Sequence, residues 1–293
     1  MTGSAPIYSV IVPCYNEEQA VEETLEGLLA NESNPSKFEI IAIDDGSTDG
    51  TRRILERFSK DNANVHMLIH ENNQGYGASL KTGIRKARAE LIAITDADGT
   101  YPNERIPELV AACQEYDMVV GARTADDVTY SKLRAAPKYF LQRWMSWIAR
   151  QHIPDINSGL RVFRKSVAER FIGILPDGFS FTVTITLAML TNYRPTLFVP
   201  ITYRKRIGES KLSPIRDTLR FIVLILRTGT YFAPLRVFFP FVGFLFLMVV
   251  ASLAYDIVQL GNLTDKTVLL FLFALNAGMF ALLADMIDKR SMR

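Results

Sequence analysis

The sequence has few cysteines, little net charge and no apolar run at its start. Cys14 and Cys113 are the only cysteines among 293 residues. Two isolated thiols make neither a disulfide framework nor a zinc site, so a reducing compartment is expected. The formal net charge of +2 gives no reason to expect nucleic acid as a partner. Residues 1–8 lack a basic start followed by a long apolar core, which argues against a cleaved signal peptide.

The longest apolar runs lie near the C-terminal end of the chain. Residues 237–255 carry no charge, and residues 268–284 contain one strongly polar residue, Asn276. Each run approaches the roughly 20 residues that cross the hydrocarbon of a bilayer. We predict two transmembrane helices within 237–293 rather than two buried core helices, because nothing else in the chain is large enough to bury them. A hairpin with a polar residue in one span also leads us to expect self-association.

Basic residues precede and flank the predicted membrane helices. Residues 131–150 contain five basic and no acidic residues, and residues 204–236 contain eight basic and two acidic residues. Basic segments with aromatic side chains are typical of helices in the headgroup plane, so 212–236 is predicted to be an amphipathic interface segment. The positive-inside rule predicts that both termini and the preceding domain are cytoplasmic. The flanking residues behind this prediction are Arg227, Arg236, Lys289, Arg290 and Arg293.

Residues 8–121 alternate short apolar runs with helical patterns, beginning with a strand at 8–13 and a helix at 19–30. Continuous apolar runs indicate strands that are buried on both faces. The alternation predicts an α/β fold with a mostly parallel, doubly wound sheet. Ligands of such sheets bind beyond the carboxyl ends of the strands, so polar clusters that follow strands are expected to converge on one crevice. Those clusters are residues 14–17, 44–49 and 96–100.

Two carboxylates follow the apolar strand that ends near residue 95. Asp96 and Asp98 are separated by Ala97, and a turn there brings both carboxylates to one cation. Magnesium and manganese prefer oxygen ligands and keep contacts to substrate phosphates. Taken alone, the pair is better explained as a cap for the helix predicted near 103–115. The clusters at two other strand ends favour the metal.

Four motifs, by their order and spacing, resemble the family-2 glycosyltransferases of GT-A fold over about the first 125 residues. Residues 157–164 and 206–211, followed by a membrane hairpin, resemble the polyprenyl-phosphate branch of that family, which includes the dolichol-phosphate mannose synthases. That branch moves a sugar from a nucleotide-sugar to a lipid phosphate. The resemblance implies a catalytic domain over 1–211. The four motifs are Val12–Glu18, Asp44–Thr51, Asn73–Gly77 and Asp96–Asp98.

The resemblance implies a set of donor and metal contacts. Asp96 and Asp98 would hold Mg²⁺ or Mn²⁺ and the donor diphosphate. Thr100 occupies the place where the branch often has glutamine, and it is a further candidate for the metal. The glycines of the third motif would let the backbone approach the donor. The implied donor-binding residues are Pro13, Tyr15, Asn16, Glu17, Asp44, Asp45, Ser47, Asn73, Gly75, Lys81 and Ala97.

The resemblance also implies a cluster of cations for the acceptor phosphate, because arginine forks match phosphate oxygens. Arg161 is expected to act in catalysis together with Asp96 and Asp98. The headgroup-facing alternative is favoured for Arg143, Arg150 and Arg216. The residues implied for the acceptor phosphate are Arg123, Arg134, Arg161, Arg206 and Lys211.

The implied reaction is metal-dependent, inverting transfer of a hexose from a UDP- or GDP-linked sugar to a dolichyl or undecaprenyl phosphate. One alternative is a family-2 enzyme that acts on a hydroxyl of a lipid-linked saccharide or a polymer. Polymer synthases usually carry Gln-x-x-Arg-Trp, whereas here Phe140 takes the glutamine's place before Arg143 and Trp144. A second alternative is a catalytically silent membrane protein that binds a nucleotide-sugar.

Overall fold

The structure is a computed structural model that describes residues 5–32, 34–124, 142–178, 180–204, 226–227 and 229–291. The chain forms two compact units. The first, the catalytic unit, contains residues 1–143 and 151–213. The second, the hairpin unit, contains residues 144–150 and 214–293. Most of the predicted interface segment, 212–225 and 228, lies outside the described residues, and the predicted domain boundaries stay predictions.

One seven-stranded sheet forms the centre of the catalytic unit, in the order β3-β2-β1-β4-β6-β5-β7. Only β6 runs antiparallel to its neighbours β4 and β5. The predicted fold class, α/β with a mostly parallel sheet, is therefore confirmed. The strands are β1 (Tyr8–Cys14), β2 (Phe38–Asp45), β3 (Val65–His70), β4 (Leu91–Ile94), β5 (Met118–Ala122), β6 (Arg161–Arg164) and β7 (Thr196–Pro200).

Two of these strands were not predicted, and the reason lies in their residues. β6 begins and ends with arginine, at Arg161 and Arg164, and Arg161 is fully buried. A strand that begins and ends with arginine does not form a continuous apolar run, so the search for such runs did not find it. β7 is an edge strand whose residues are half-buried or exposed, and it ends at Pro200. Edge strands tolerate proline because one row of their N–H groups pairs with no other strand.

Helices cover the sheet and bury their apolar faces against it. In α1 the predicted face packs inward, with Val21, Leu25 and Leu28 all buried. All eight residues of β2 are buried, as expected for a strand covered on both sides. The helices of the catalytic unit are α1 (Val21–Ala30), α2 (Thr51–Asp61), α3 (Tyr76–Lys86), α4 (Ile106–Ala112), α5 (Lys165–Phe171) and α6 (Phe181–Thr191).

Two long apolar helices form the core of the hairpin unit. The first spans Pro234–Tyr255 and continues as a π-helical turn over Asp256–Leu260, and the second spans Asp265–Ser291. Their membrane-compatible stretches, Pro234–Leu260 and Asp265–Ile287, have mean hydropathies of 2.5 and 2.2. Both predicted spans lie inside these helices. The helices are long and apolar enough to form a membrane hairpin.

A buried carboxylate closes the turn between the two hairpin helices. Asp256 is fully buried, and its Oδ2 accepts hydrogen bonds from the backbone N–H of Thr264, from its Oγ1, and from Thr267 Oγ1. Gly261 takes the left-handed conformation, with φ 66°, between the helices. One oxygen of Asp256 thus collects three hydrogen bonds from the start of the second helix, which fixes the turn.

Candidate active site

The loops after β1 and β2 are joined by hydrogen bonds from short polar side chains. The backbone N–H of Asn16 donates to Ser47 Oγ at 3.1 Å, and Asn16 Oδ1 accepts from the Thr48 N–H at 2.8 Å. The Glu17 N–H donates to Thr51 Oγ1 at 2.9 Å. Asn16 has a φ of 53°, which asparagine tolerates better than most residues. The two predicted donor motifs therefore lie together.

Asp44, at the end of β2, is fully buried and bonded on both oxygens. Its Oδ1 accepts from the Ser47 N–H at 3.0 Å, and its Oδ2 accepts from Arg52 Nε at 2.7 Å. The carboxylate therefore fixes the turn that presents Ser47. The structure shows Asp44 as a support for this loop, whereas the resemblance implied a donor contact.

Asp45 links the β2 loop to the next motif along the chain. Its Oδ1 accepts from the Gln74 N–H at 2.9 Å, and its Oδ2 accepts from the Gly75 N–H at 2.8 Å. His70 Nδ1 lies 2.7 Å from Asp45 Oδ1 and donates to it, because a carboxylate only accepts. One buried carboxylate thus fixes the loop that contains Asn73 and begins α3.

The glycines of that loop make room for protein backbone. Gly75 has a φ of 102°, and a Cβ there would lie 2.6 Å from the carbonyl oxygen of Asp177. A Cβ on Gly77 would collide with the carbonyl oxygen of Pro176. The resemblance implied that these glycines admit the donor, whereas the structure shows the 176–178 loop crossing them. Lys81 pairs with the Asp177 carboxylate and donates to the Leu175 carbonyl at 3.1 Å, so it fastens the same loop.

The Asp96 carboxylate lies where three motifs meet. Tyr76, the first residue of α3, donates its hydroxyl hydrogen to Asp96 Oδ1 at 2.9 Å. A Cβ on Gly159 would lie 2.8 Å from the same oxygen. Burial, and after it the negative charge of Asp96, hold the pKa of Tyr76 well above its usual value. The phenol therefore stays protonated and serves as a donor. This contact connects the third and fourth motifs.

Asp98 is oriented by the residue two positions further along. Thr100 donates to Asp98 Oδ1 from its hydroxyl at 2.6 Å and from its backbone N–H at 3.2 Å. Thr100 is fully buried and holds Asp98 in this structure, and its contact to a metal stays a prediction. Ala97 is buried, and its carbonyl accepts from Thr24 Oγ1 at 3.1 Å, which fastens the motif to α1.

Arg161 differs from its predicted role as an acceptor contact. It is fully buried, and its guanidinium donates to the carbonyls of Ser158 and Thr182 and to Thr186 Oγ1. Burial lowers the pKa of Arg161 to about 10, which leaves it charged at neutral pH. It joins β6 to α6, and we assign it a positioning role.

Arg123 forms a salt bridge with Asp155, a carboxylate that the sequence analysis did not identify. Its Nε and Nη2 donate to Asp155 Oδ2 and Oδ1 at 2.7 and 3.0 Å, and its backbone N–H also donates to Asp155. Its guanidinium lies 5.1 Å from the centre of the Tyr203 ring. A fork bound to one carboxylate is not open to a phosphate in the same geometry. Arg134, Arg206 and Lys211 lie outside the described residues.

The structure therefore brings the predicted clusters together. Bonds between loops connect the motifs after β1, β2 and β4 and the motif at the start of α3. Tyr15 is partly exposed, at 36%, whereas the two aspartates after β2 are buried. The sequence reasoning missed Tyr76, Gly159 and Asp155. The first two lie inside segments quoted for the resemblance, but their contacts with Asp96 join residues far apart in the chain.

The carboxylate pair could supply two of the ligands of a small divalent cation but not a complete set. The described residues contain no group of three or more histidines, cysteines, aspartates and glutamates that could hold a metal ion. Asp96 and Asp98 thus offer at most two ligands of this kind. Mg²⁺ and Mn²⁺ are commonly bound by one or two carboxylates with substrate phosphates and water completing the shell. The pair suits a metal that arrives with a diphosphate.

The hairpin unit contains a cavity of about 780 Å³. Most of its lining comes from apolar side chains of the two helices, and Trp147 contributes from the helical residues 142–149. Arg150 and Arg236 are its two charged lining residues. Arg150 was predicted to face solvent or headgroups, and it is exposed as well as lining this cavity.

A mixed α/β sheet with an Asp-x-Asp pair after β4 is typical of the GT-A fold of glycosyltransferases. The chain belongs to glycosyl transferase family 2, because the model of that family matches residues 9–171. A second model, described as the GtrB C-terminal hairpin, matches residues 233–289. The predicted family and enzyme class are confirmed.

Two curated relatives extend the comparison. An undecaprenyl-phosphate 4-deoxy-4-formamido-L-arabinose transferase of Pseudomonas paraeruginosa is 31% identical over 278 residues, covering 87% of this chain and 77% of the relative. A dolichyl-phosphate hexose transferase of Haloferax volcanii is 29% identical over 208 residues, covering 70% and 86%. Both relatives are named for transfer to a polyprenyl phosphate.

Solved structures share the fold. Glucosyl-3-phosphoglycerate synthase from Mycobacterium tuberculosis, crystallised with Mn²⁺, UDP and glucosyl-3-phosphoglycerate, superposes with a TM-score of 0.59 at 15% identity, covering 76% of this chain and 80% of that one. TarS of S. aureus in complex with UDP-GlcNAc gives 0.52 at 21% identity, covering 75% and 66%. At these identities the likeness concerns the fold alone.

Proposed function

We propose that this protein transfers a hexose from a UDP- or GDP-linked sugar to a dolichyl or undecaprenyl phosphate. The observation that carries the proposal is the Asp96 and Asp98 pair, held after β4 by Tyr76 and Thr100, in a chain that ends in an apolar hairpin. The first feature suits a soluble diphosphate donor, and the second suits an acceptor in a membrane. The names of the curated relatives support this combination.

Asp96 and Asp98 would hold Mg²⁺ or Mn²⁺ together with the donor diphosphate. The ion supplies positive charge that stabilises the nucleoside diphosphate as a leaving group. The presence of Mn²⁺ and UDP with a structure of the same fold supports this choice. The loops of Tyr15, Asn16 and Ser47 would bind the nucleoside, since they border the same crevice. Asn73, Glu17 and Pro13 stay donor-binding candidates.

The acceptor would be the nucleophile in this reaction. A phosphate monoester is ionised near neutral pH and needs little help from a general base, whereas a sugar hydroxyl needs one. Its oxygen would attack the anomeric carbon in line, so that the new C–O bond forms as the bond to the diphosphate breaks, with inversion. Positioning and charge then supply most of the rate. Arg134, Arg206 and Lys211 stay candidates for contacts to the acceptor phosphate, and Arg123 would join them only by releasing Asp155.

This mechanism makes a prediction about Asp177, an exposed carboxylate of the 176–178 loop. If no carboxylate is an indispensable base, Asp177→Asn keeps transfer activity within about tenfold of wild type. Loss of turnover in this variant, with donor, metal and acceptor binding intact, would show that a base is required and would count against a phosphate acceptor.

A paired acceptor assay tests the proposal directly. Detergent-purified full chain is incubated with Mn²⁺ or Mg²⁺, a panel of radiolabelled UDP- and GDP-sugars, and either a short polyprenyl phosphate or the polyprenol of the same length. We expect label in an acid-labile, organic-soluble product with the phosphate only. Transfer to hydroxyl acceptors alone would overturn the proposal in favour of a hydroxyl transferase, and donor binding without any transfer would indicate a silent binding protein.

We also propose that the hairpin spans the membrane with both of its ends in the cytoplasm. The cations that flank it support this orientation. Cys14 and Cys113 are buried, so one introduced cysteine gives a clean report. A membrane-impermeant maleimide is expected to label Asn262→Cys, in the link between the helices, in intact cells. It is expected to label Tyr193→Cys, in the catalytic unit, only after permeabilisation. The reverse pattern would invert the topology.

A further inference from the structure

The second hairpin helix has three distinct faces, and the first of them packs on its partner helix. Leu270, Ala274 and Ala277 lie against Leu245 and Val249 of the first hairpin helix. Ala274 is fully buried. The alanines at two of these positions let the two helices approach closely, which is how membrane helices associate. This face is therefore already covered within one chain.

The second face lines the cavity of the hairpin unit. Leu275, Gly278, Met279 and Leu282 all border it. At about 100° per residue, this face lies roughly 120° around the helix from the packing face. It is therefore separate from the contact between the two helices.

The third face is exposed along its whole length, and we call it the Asn276 stripe. The exposed fractions of its apolar residues lie between 51% and 70%. Its members follow one another at alternating spacings of four and three residues, the repeat by which one helix packs lengthwise on another. It lies roughly 110–130° from each of the other faces at about 100° per residue. The stripe consists of Leu269, Phe273, Asn276, Phe280, Leu283 and Ile287.

Asn276 places a polar amide near the middle of this stripe. It is the twelfth of the 23 residues in the membrane-compatible stretch Asp265–Ile287. With about 1.5 Å of rise per residue, it lies roughly 16 Å from the start of that stretch, near the bilayer centre. Its Nδ2 donates to the Leu272 carbonyl at 2.9 Å. Its Oδ1 accepts no hydrogen bond from any residue that the structure describes. An amide oxygen that faces hydrocarbon is costly, and lipid tails offer it no donor.

We propose that the Asn276 stripe binds the same stripe of a second copy of this chain. All copies insert into a membrane in one orientation, so two parallel helices bring their Asn276 residues to the same depth. An amide carries both donors and an acceptor, so the two side chains bond to each other about a twofold axis along the membrane normal. A single asparagine in a heptad stripe fixes register in this way. The inference rests on the hairpin spanning a membrane and not on the sugar chemistry.

Energy transfer between labelled copies tests the proposal without any activity assay. Purified full chain, labelled in separate batches with donor and acceptor dyes, is mixed in vesicles of phosphatidylethanolamine and phosphatidylglycerol over a range of protein-to-lipid ratios. Asn276→Leu, which keeps the volume and removes the amide, is expected to weaken association roughly three- to thirty-fold. Asn276→Gln, which keeps the amide, is expected to stay near wild type.

A matched variant moves the amide without losing it. Combining Asn276→Leu with Leu275→Asn shifts the amide by one residue onto the cavity face, and we expect association as weak as in Asn276→Leu. Equal association of wild type and Asn276→Leu would overturn the proposal. So would the absence of association of the wild type in these vesicles at every ratio, which would assign the stripe to a different membrane protein.

Cross-linking gives a second, geometric readout. Because Cys14 and Cys113 are buried, oxidation reports only on an introduced cysteine. Phe280→Cys, on the stripe, is expected to form disulfide-linked dimers in the vesicles, whereas Leu282→Cys, on the cavity face, is not. Dimers from Leu282→Cys and none from Phe280→Cys would place the contact on the wrong face and refute the assignment.

Discussion

The two units of this chain differ in which side chains they bury and which they expose. The catalytic unit buries its strands, including all eight residues of β2, and binds its polar residues into loops at the strand ends. The hairpin unit does the reverse. Its large apolar residues are exposed, for example Leu247 at 70%, while Asp256 is fully buried. If the hairpin spans a membrane, as we propose, lipid replaces water around it. Close packing of small residues and internal hydrogen bonds then take the place of hydrophobic burial there.

The same comparison explains where the chemistry lies. Buried carboxylates of the catalytic unit organise loops, as Asp45 does for the start of α3. That loop in turn presents Tyr76 to Asp96. In the hairpin unit the buried Asp256 organises the turn between the two helices. We therefore expect variants of the catalytic unit to change donor chemistry and variants of the hairpin to change membrane behaviour. Variants of each unit test this division.

The largest effect is expected from Asp98→Ala, which removes one of the paired carboxylates. Loss of an electrostatic contact to the leaving group costs on the order of 10²–10³-fold in turnover. Transfer assays at saturating donor give the value. Asp61→Ala, an exposed residue at the end of α2, is the matched control and stays near wild type. Similar losses in both variants would mean that the effect is not specific to the site.

Arg161→Gln separates a positioning role from an acceptor contact. The variant leaves the buried carbonyls of Ser158 and Thr182 without their donor, which we expect to cost about 1–3 kcal/mol of unfolding free energy for each carbonyl that stays unpaired. Denaturant unfolding of the detergent-solubilised chain measures this. A fold as stable as wild type combined with a raised acceptor KM would instead support the contact that the resemblance implied.

Leu247→Arg tests whether the exposed apolar residues of the hairpin contact lipid. Leu247 lies at the middle of the Pro234–Leu260 stretch, where an arginine costs about 2.5–3.5 kcal/mol of insertion free energy. The fraction of protein that resists carbonate extraction should fall. Ile7→Arg, at an exposed apolar residue of the catalytic unit (56% exposed), should change stability by no more than about 0.5 kcal/mol. Equal membrane integration of Leu247→Arg and wild type would remove the basis of the comparison.

A pair of glycine variants tests the packing around Asp96. Gly159→Ala would bring a Cβ to 2.8 Å from Asp96 Oδ1, so the carboxylate must move. A small misplacement of a catalytic group costs about 10²-fold in rate at most in this kind of site. Gly173→Ala meets nothing within 4 Å and should be silent. Unchanged transfer by Gly159→Ala would show that the position of Asp96 is not critical.

The smallest effect is expected from Tyr76→Phe, which removes a single hydrogen bond to Asp96. Loss of a supporting contact to a metal-binding carboxylate typically costs about 10–100-fold in metal affinity or activity. Titration of Mn²⁺ in the transfer assay should show a higher requirement for the ion. Tyr193→Phe, at a largely exposed tyrosine, is the control. A lower rate with an unchanged Mn²⁺ requirement would assign Tyr76 another role.

The sequence predicted the elements that depend on local pattern. Strands β1 to β5 and the polar clusters after them could be predicted from the sequence. Parallel strands are continuously apolar and end in turn residues. The two hairpin helices are legible from length and hydropathy alone. In both units, the prediction succeeded where consecutive residues of a segment are all buried or all face the same surroundings.

The contacts that were missed join distant parts of the chain. Asp155 meets Arg123 across 32 residues, and Tyr76 meets Asp96 across 20. No local pattern indicates such a pair. Arg161 was assigned to the acceptor because arginine suits phosphate, but its burial depends on α6, which is remote in the chain. Pairing of this kind depends on tertiary structure and cannot be derived from one sequence.

The most direct test of the division between the units is the affinity of the full chain for its nucleotide-sugar in the presence of Mn²⁺. It is measured by titration calorimetry for wild type, Asp98→Ala and Leu247→Arg, all in detergent. The account predicts that Asp98→Ala weakens binding at least about tenfold, while Leu247→Arg binds as wild type does. Unchanged affinity in Asp98→Ala, or an equal loss in Leu247→Arg, would contradict it.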